Sequence, residues 1–212
     1  MEKEFRSGSG KAQDLSPQAR TSTAVSRPRL VDRWPTALAL VFVVGSLLLI
    51  VRLDREVELF GPLVVMMAGI YMMAYAIGRP WTAWISLVVL GGVMSVLQVL
   101  HLTEVLPVDP IVGMPIVVVL LWLWAVARRR YTDGRLFARQ TAGMVGFGAV
   151  TLVCTAVAPQ VGIALIGAGF LAHAIWDVYH FRANQVVNRP YAEYCGVIDF
   201  IVGPALIVAA FL

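Results

Sequence analysis

The chain has 212 residues, of which 59% are hydrophobic and only 14% charged, with a formal net charge of +4. A soluble domain carries about 25% charged residues, so the composition excludes that class and describes a membrane protein. The sequence pI of 9.4 does not point to nucleic acid: beyond the amino-terminal tail, the positive charge lies in short connections between apolar runs, where it reports orientation.

Residues 1–33 mix Ser, Gln, Arg, Lys, Glu and Pro with almost no large apolar side chains, the composition of a disordered cytosolic tail. No apolar core with a small-residue cleavage site follows its first charges, so it does not read as a signal peptide. Arg27, Arg29 and Arg33 close the tail. They set topology, or rest on anionic headgroups at about 1 kcal/mol each.

Seven apolar segments follow: 35–51, 59–77, 81–100, 110–127, 141–158, 161–181 and 191–212. Each approaches the ~20 residues that cross ~30 Å of hydrocarbon. Lipid offers no hydrogen-bond partners and no segment alternates as a barrel strand does, so each is predicted to be a helix. Pro159-Gln160 divides the fifth from the sixth, because one long helix would place that proline in mid-membrane. With the tail inside, the inner connections are 78–80, 128–140 and 182–190, and each is net positive. The outer connections are 52–58, 101–109 and 159–160, and none is. This matches the positive-inside rule. The expected architecture is all-α: a polytopic bundle of seven transmembrane helices over 34–212 in an inner (cell) membrane, amino end inside and carboxyl end outside.

Trp81, Trp84, Trp122, Trp124, Tyr191 and Tyr194 fall near the inner boundary and read as an interfacial aromatic belt. Gly91, Gly92, Gly143, Gly146 and Gly148 read as helix-packing contacts. Cys154 and Cys195 lie in different helices at different depths, with no zinc-finger spacing.

The last two segments carry ionisable residues where lipid penalises them. His173, Asp177 and His180 stand at i, i+4 and i+7 and share one helix face. Cys195, Asp199 and Gly203 repeat every four residues on the next helix. In an antiparallel pair whose connection is centred on residue 186, equal depth sets Gly169 against Gly203, His173 against Asp199, and Asp177 against Cys195. At about 1.5 Å of rise per residue, His173 and Asp199 lie roughly 12 to 14 Å inside the inner boundary, with Asp177 and Cys195 about half as deep and His180 near the surface. An ionised Asp in hydrocarbon costs ~2.5 kcal/mol or more, so it is neutral, paired or bound to a cation.

Three readings fit. In the first, His173–Asp199 is an interhelical lock, with Asp177 served by Arg182, Tyr194 or a third helix. In the second, His173, Asp177 and either Asp199 or Cys195 hold a metal, zinc or iron by donor type. His180 then lies too far along the axis to join them and serves as an acid–base group with Asp199. In the third, the cluster relays protons or cations. Tyr71, Tyr75 and Ser86 lie at depths where they can line the site's other wall. His101 and Glu104 lie a membrane's width away.

The run His173-Ala-Ile-Trp176-Asp177-Val-Tyr-His180, followed by Arg189-Pro-Tyr-Ala-Glu-Tyr-Cys195-Gly-Val-Ile-Asp199, resembles the end of a group of small uncharacterised bacterial integral membrane proteins. These carry H-x-x-W-D-x-x-H-H, a basic-proline connection and C-x-x-x-D. The resemblance covers about a fifth of the chain and implies a multi-pass bacterial membrane protein with no established activity. Phe181 stands where the second adjacent histidine often falls. The early-helix serine–histidine–aspartate signature of seven-helix metal hydrolases of the alkaline-ceramidase type has no counterpart here. The functional expectation is therefore a cytosol-facing His/Asp/Cys site between the last two helices. It is that of a metal-dependent enzyme acting on a lipid-like substrate, or else of a transporter or interaction subunit.

Overall fold

The computed structural model describes residues 33–53, 56–105 and 108–212. The predicted tail lies outside the described residues except for Arg33, so Arg27 and Arg29 are not among them. The described chain is all-helical, without strands. It consists of α1 (Trp34–Arg52), α2 (Glu56–Ile77), α3 (Ala83–Leu102), α4 (Pro110–Ala127), α5 (Arg135–Val153), α6 (Pro159–Ala183) and α7 (Arg189–Ala209). All seven are long and apolar enough to cross a membrane, with the short 3-10 turn Pro80–Thr82 continuing into α3.

Two boundaries differ from the expectation. The fifth helix begins at Arg135 and ends at Val153 rather than spanning 141–158. Arg135 and Arg139 read as connection residues, yet long basic stems extend along a helix and carry their charge to its end. The guanidinium of Arg139 accordingly lies over the Tyr179 ring, 4.4 Å from its centre. The hairpin expected at Pro159-Gln160 is instead residues 154–158, with Pro159 in the first turn of α6. Proline suits that turn, since the N–H it lacks would have no helical partner there.

The bundle is built around α2. Of its membrane-spanning window 83% is buried inside the protein, against 17–44% for the other six helices. It packs on α3, α4, α5 and α6, while α7 packs on α6 and α1. The α1–α7 contact includes a hydrogen bond from the Thr36 hydroxyl to Glu193, with Arg33 at 3.6 Å from the same carboxylate.

The connections α2–α3, α4–α5 and α6–α7 meet at one end. There the Tyr75 hydroxyl donates to Asp133 and to the Arg130 carbonyl, and the Asn188 N–H donates to Pro80. These are the three connections whose basic residues were expected to share one side. Towards the opposite end, the Thr151 hydroxyl donates to the Gly61 carbonyl at 2.9 Å and accepts from the Val65 N–H at 3.2 Å. It thus serves two backbone groups of α2 that flank Pro62. Thr151→Val keeps the shape and removes both bonds, so unfolding in detergent is expected to lose about 1 kcal/mol.

The expected packing roles of the glycines hold only in part. A Cβ on Gly143 would meet the Trp176 ring at 3.1 Å, and one on Gly148 would meet Val65 at 3.7 Å. Gly91, Gly92 and Gly146 have nothing within 4 Å. Gly92 is exposed, while Gly91 and Gly146 border gaps between helices rather than contacts. The belt also needs correction. Trp81 is exposed, but Tyr191 and Tyr194 are buried and pack with Trp84 and Tyr71 inside the protein. A phenol ring fills a bundle core as readily as an interface once its neighbours are aromatic.

Candidate functional site between the last two helices

The α6–α7 crossing sets the site. Gly167 and Gly203 face one another: a Cβ on Gly167 would stand 2.6 Å from the Gly203 carbonyl oxygen, and one on Gly203 would stand 2.9 Å from that of Gly167. The expected partner of Gly203 was Gly169. That residue instead faces Val64 of α2 and Val150 of α5. Two residues along a helix is a rotation of about 200°, so Gly167 and Gly169 lie on opposite faces. The stripe of α6 turned to α7 runs through Gly167 and Leu171. His173 stands at its edge, where it also meets the rings of Tyr71 and Phe147.

The equal-depth pairing of His173 with Asp199 is present. Nδ1 of His173 lies 2.8 Å from Oδ2 of Asp199 and 3.4 Å from Oδ2 of Asp177, one turn along its own helix. The side chains are 0%, 1% and 1% exposed for His173, Asp177 and Asp199. One donor atom from each lies within 4.8 Å of the other two. Asp177 is served by a third helix, as one reading allowed: the Tyr71 hydroxyl of α2 donates to its Oδ1. Its Oδ2 and the Nε2 of His173 have no hydrogen-bond partner among the described residues.

Asp177 abuts Gly196 rather than Cys195, since a Cβ on Gly196 would lie 3.3 Å from that of Asp177. The one-residue shift turns Cys195 away. It is buried and lines a cavity of about 270 Å³ with Tyr194, Ile198 and Asp199, outside the three-donor set.

His180 is wholly buried, enclosed by the rings of Tyr71, Trp176 and Tyr179. Its Nδ1 is 2.9 Å from the Trp176 carbonyl and its Nε2 is 3.1 Å from the Gln140 amide nitrogen. These partners assign the Nδ1–H tautomer, with the amide donating to Nε2. Both nitrogens are engaged, so the atoms an acid–base role needs are occupied by packing partners.

Of the candidate wall residues, only Tyr71 reaches the cluster. Tyr75 serves the α4–α5 connection, and Ser86 bonds to Thr82 of its own helix turn. Gln140 had been placed in a connection, because the fifth helix was started one residue after it. Its uncharged polar side chain beside a run of helix-compatible residues was the available signal. Tyr71→Phe leaves Oδ1 of Asp177 without its donor. The expected result is a loss of about 1–3 kcal/mol in thermal unfolding, with no change in helix content by circular dichroism.

No family model, curated protein or solved structure matches this chain. Its function must be read from the site.

One imidazole and two carboxylates meet here, all of them buried. An imidazolium neutralises one carboxylate; a divalent cation neutralises both. In a tetrahedral zinc site with bonds of 2.0–2.2 Å, neighbouring donors stand about 3.4 Å apart. The 3.4 Å separation of His173 Nδ1 from Asp177 Oδ2 matches that spacing, while the 2.8 Å contact with Asp199 is a hydrogen bond that a bound ion would open.

Proposed function

We propose that the protein is a metal-dependent enzyme of a bacterial inner membrane acting on a lipid-like substrate, with His173, Asp177 and Asp199 holding one zinc or iron ion. The observation that carries this reading is the convergence of three donor atoms, on two helices, in a site where two carboxylates share one imidazole. Charge of that kind inside a membrane marks function far more often than packing. Three protein ligands leave a fourth position for water or substrate. An ion so held polarises a carbonyl or phosphoryl oxygen, or activates water for attack. Tyr71 fixes the Asp177 carboxylate, and His180 supports the Tyr71 ring from behind. The basic connections gathered at one end support a cytosolic reading of that end under the positive-inside rule.

The test is elemental analysis of purified protein, beside mass spectrometry of lipids incubated with it. The expected result is one equivalent of zinc or iron per chain and a lipid consumed, with turnover lost on chelation and restored by the metal. A metal-free chain in which His173→Ala only lowers the melting temperature overturns the reading in favour of an interhelical lock.

One observation favours the relay as a second reading. Asp177 borders a groove on the α6–α7 face, while Asp199 borders a separate cavity among α1, α2, α3, α6 and α7. Dissipation of a proton gradient by the reconstituted metal-free protein, lost in Asp199→Asn, would support it.

A further inference from the structure

The groove on the α6–α7 face has a volume of about 600 Å³. Its walls are apolar, including Ala174, Val178, Phe181, Val197 and Phe200, and Asp177 of the cluster is among its lining residues. Val178 and Phe200 are exposed on the outer face of the bundle, which in membrane-spanning helices is the face that lipid covers. The groove runs towards the basic end, where Arg182 and Glu193 line its mouth.

The mouth is cationic. Glu193 is held by Thr36 and Arg33. Arg182 is exposed and has no ion-pair partner among the described residues. Arg189 joins it there, since its Nε–H donates to the Phe181 carbonyl at 3.2 Å and its guanidinium lies 5.9 Å from the Phe181 ring centre. A second groove of similar size, about 580 Å³, lies between α5 and α6. It has no charged lining residue and does not reach the cluster, so it serves as an internal reference.

We propose that the α6–α7 groove takes an anionic phospholipid of the surrounding bilayer, with an acyl chain against Val178 and Phe200 and the phosphate on Arg182 and Arg189. Held this way, the lipid's polar linkage enters beside Asp177. The inference names the substrate class of the metal site and rests on that reading for its catalytic meaning, though not for the binding itself. Charge chooses the lipid: a guanidinium pair at the headgroup level binds the phosphate of either lipid but favours a net-negative headgroup over a zwitterionic one, whose ammonium opposes it. The apolar walls then set the chain direction, along α6 and towards the middle of the membrane.

Full-length protein in vesicles of mixed phosphatidylcholine and phosphatidylglycerol is photolabelled with a diazirine-bearing acyl chain on either headgroup, and adducts are mapped by mass spectrometry. Phosphatidylglycerol adducts are expected to concentrate on 174–181 and 196–201 and to exceed phosphatidylcholine adducts there by about fivefold for each arginine engaged. The α5–α6 groove is expected to label equally with both lipids. Arg182→Gln with Arg189→Gln brings the two lipids level, and Val178→Trp, on the exposed lip, removes the adducts by filling the groove. Both variants retain the metal content of the parent chain. Equal labelling of the two grooves, or equal labelling by the two headgroups at α6–α7, overturns the inference even if metal is present. Selective labelling of a metal-free chain supports the lipid site and removes the metal reading instead.

Discussion

Asp199→Asn is expected to strip the metal from the purified protein while leaving the bundle folded. Once the metal is gone, the amide oxygen can accept from a protonated His173 Nδ1 across the 2.8 Å gap between α6 and α7, so the two helices stay joined. Interhelical hydrogen bonds in membranes average ~0.6 kcal/mol, and the change in unfolding free energy should stay below about 1 kcal/mol. Loss of an anionic ligand acts on the metal alone, and occupancy is expected to fall by at least about tenfold, the lower bound seen for partners one layer further out. Asp199→Leu separates the two effects. It leaves the His173 nitrogen buried without an acceptor and costs about 1–3 kcal/mol. Equal melting temperatures for the asparagine and leucine variants would show that the His173–Asp199 bond contributes nothing to the fold.

Gly203→Ala is expected to be strongly disruptive for so small a change. Its new methyl would stand 2.9 Å from the Gly167 carbonyl oxygen, 3.0 Å from Leu171 Cγ and 3.2 Å from the Leu171 nitrogen. Two of those neighbours are backbone atoms, so relief requires the helices to separate. Overpacking of this kind costs roughly 1–3 kcal/mol. The consequence reaches the site, because Asp199 lies one turn from Gly203 on the same face and its oxygen must stay within bonding distance of His173. A fall in thermal stability together with weakened metal retention is the expected outcome. Gly92→Ala is the control, since nothing lies within 4 Å of that position and alanine favours the helix by about 1 kcal/mol.

These two cases show which parts of the molecule were legible in the chain. Seven helices followed from the demand that lipid places on backbone groups. The His173–Asp199 pair followed from counting residues away from the connection, because depth in an antiparallel pair is arithmetic. Rotation about the helix axis was harder. Gly169 and Gly167 differ little in depth yet point to opposite sides, and the residue that meets Gly203 is the second. The central place of α2 was not legible. A membrane helix is apolar towards lipid and towards protein alike, so periodicity does not separate a buried helix from a peripheral one. Tyr71 therefore gave a depth without a direction. Glycines misled for the same reason: Gly91 and Gly92 look like a contact, yet nothing lies within 4 Å of either. Arg135 and Arg139 concealed six residues of α5, and Gln140 with them.

The central claim is that one imidazole and two carboxylates from α6 and α7 bind a single metal ion without sulfur. X-ray absorption spectroscopy of the purified protein measures this ligand set directly. The account predicts one zinc or iron per chain with only nitrogen and oxygen neighbours, at about 2.0–2.2 Å for zinc, lost in Asp199→Asn. A sulfur shell at about 2.3 Å would bring Cys195 into the site and contradict the geometry, and a chain that retains no metal would contradict the claim outright.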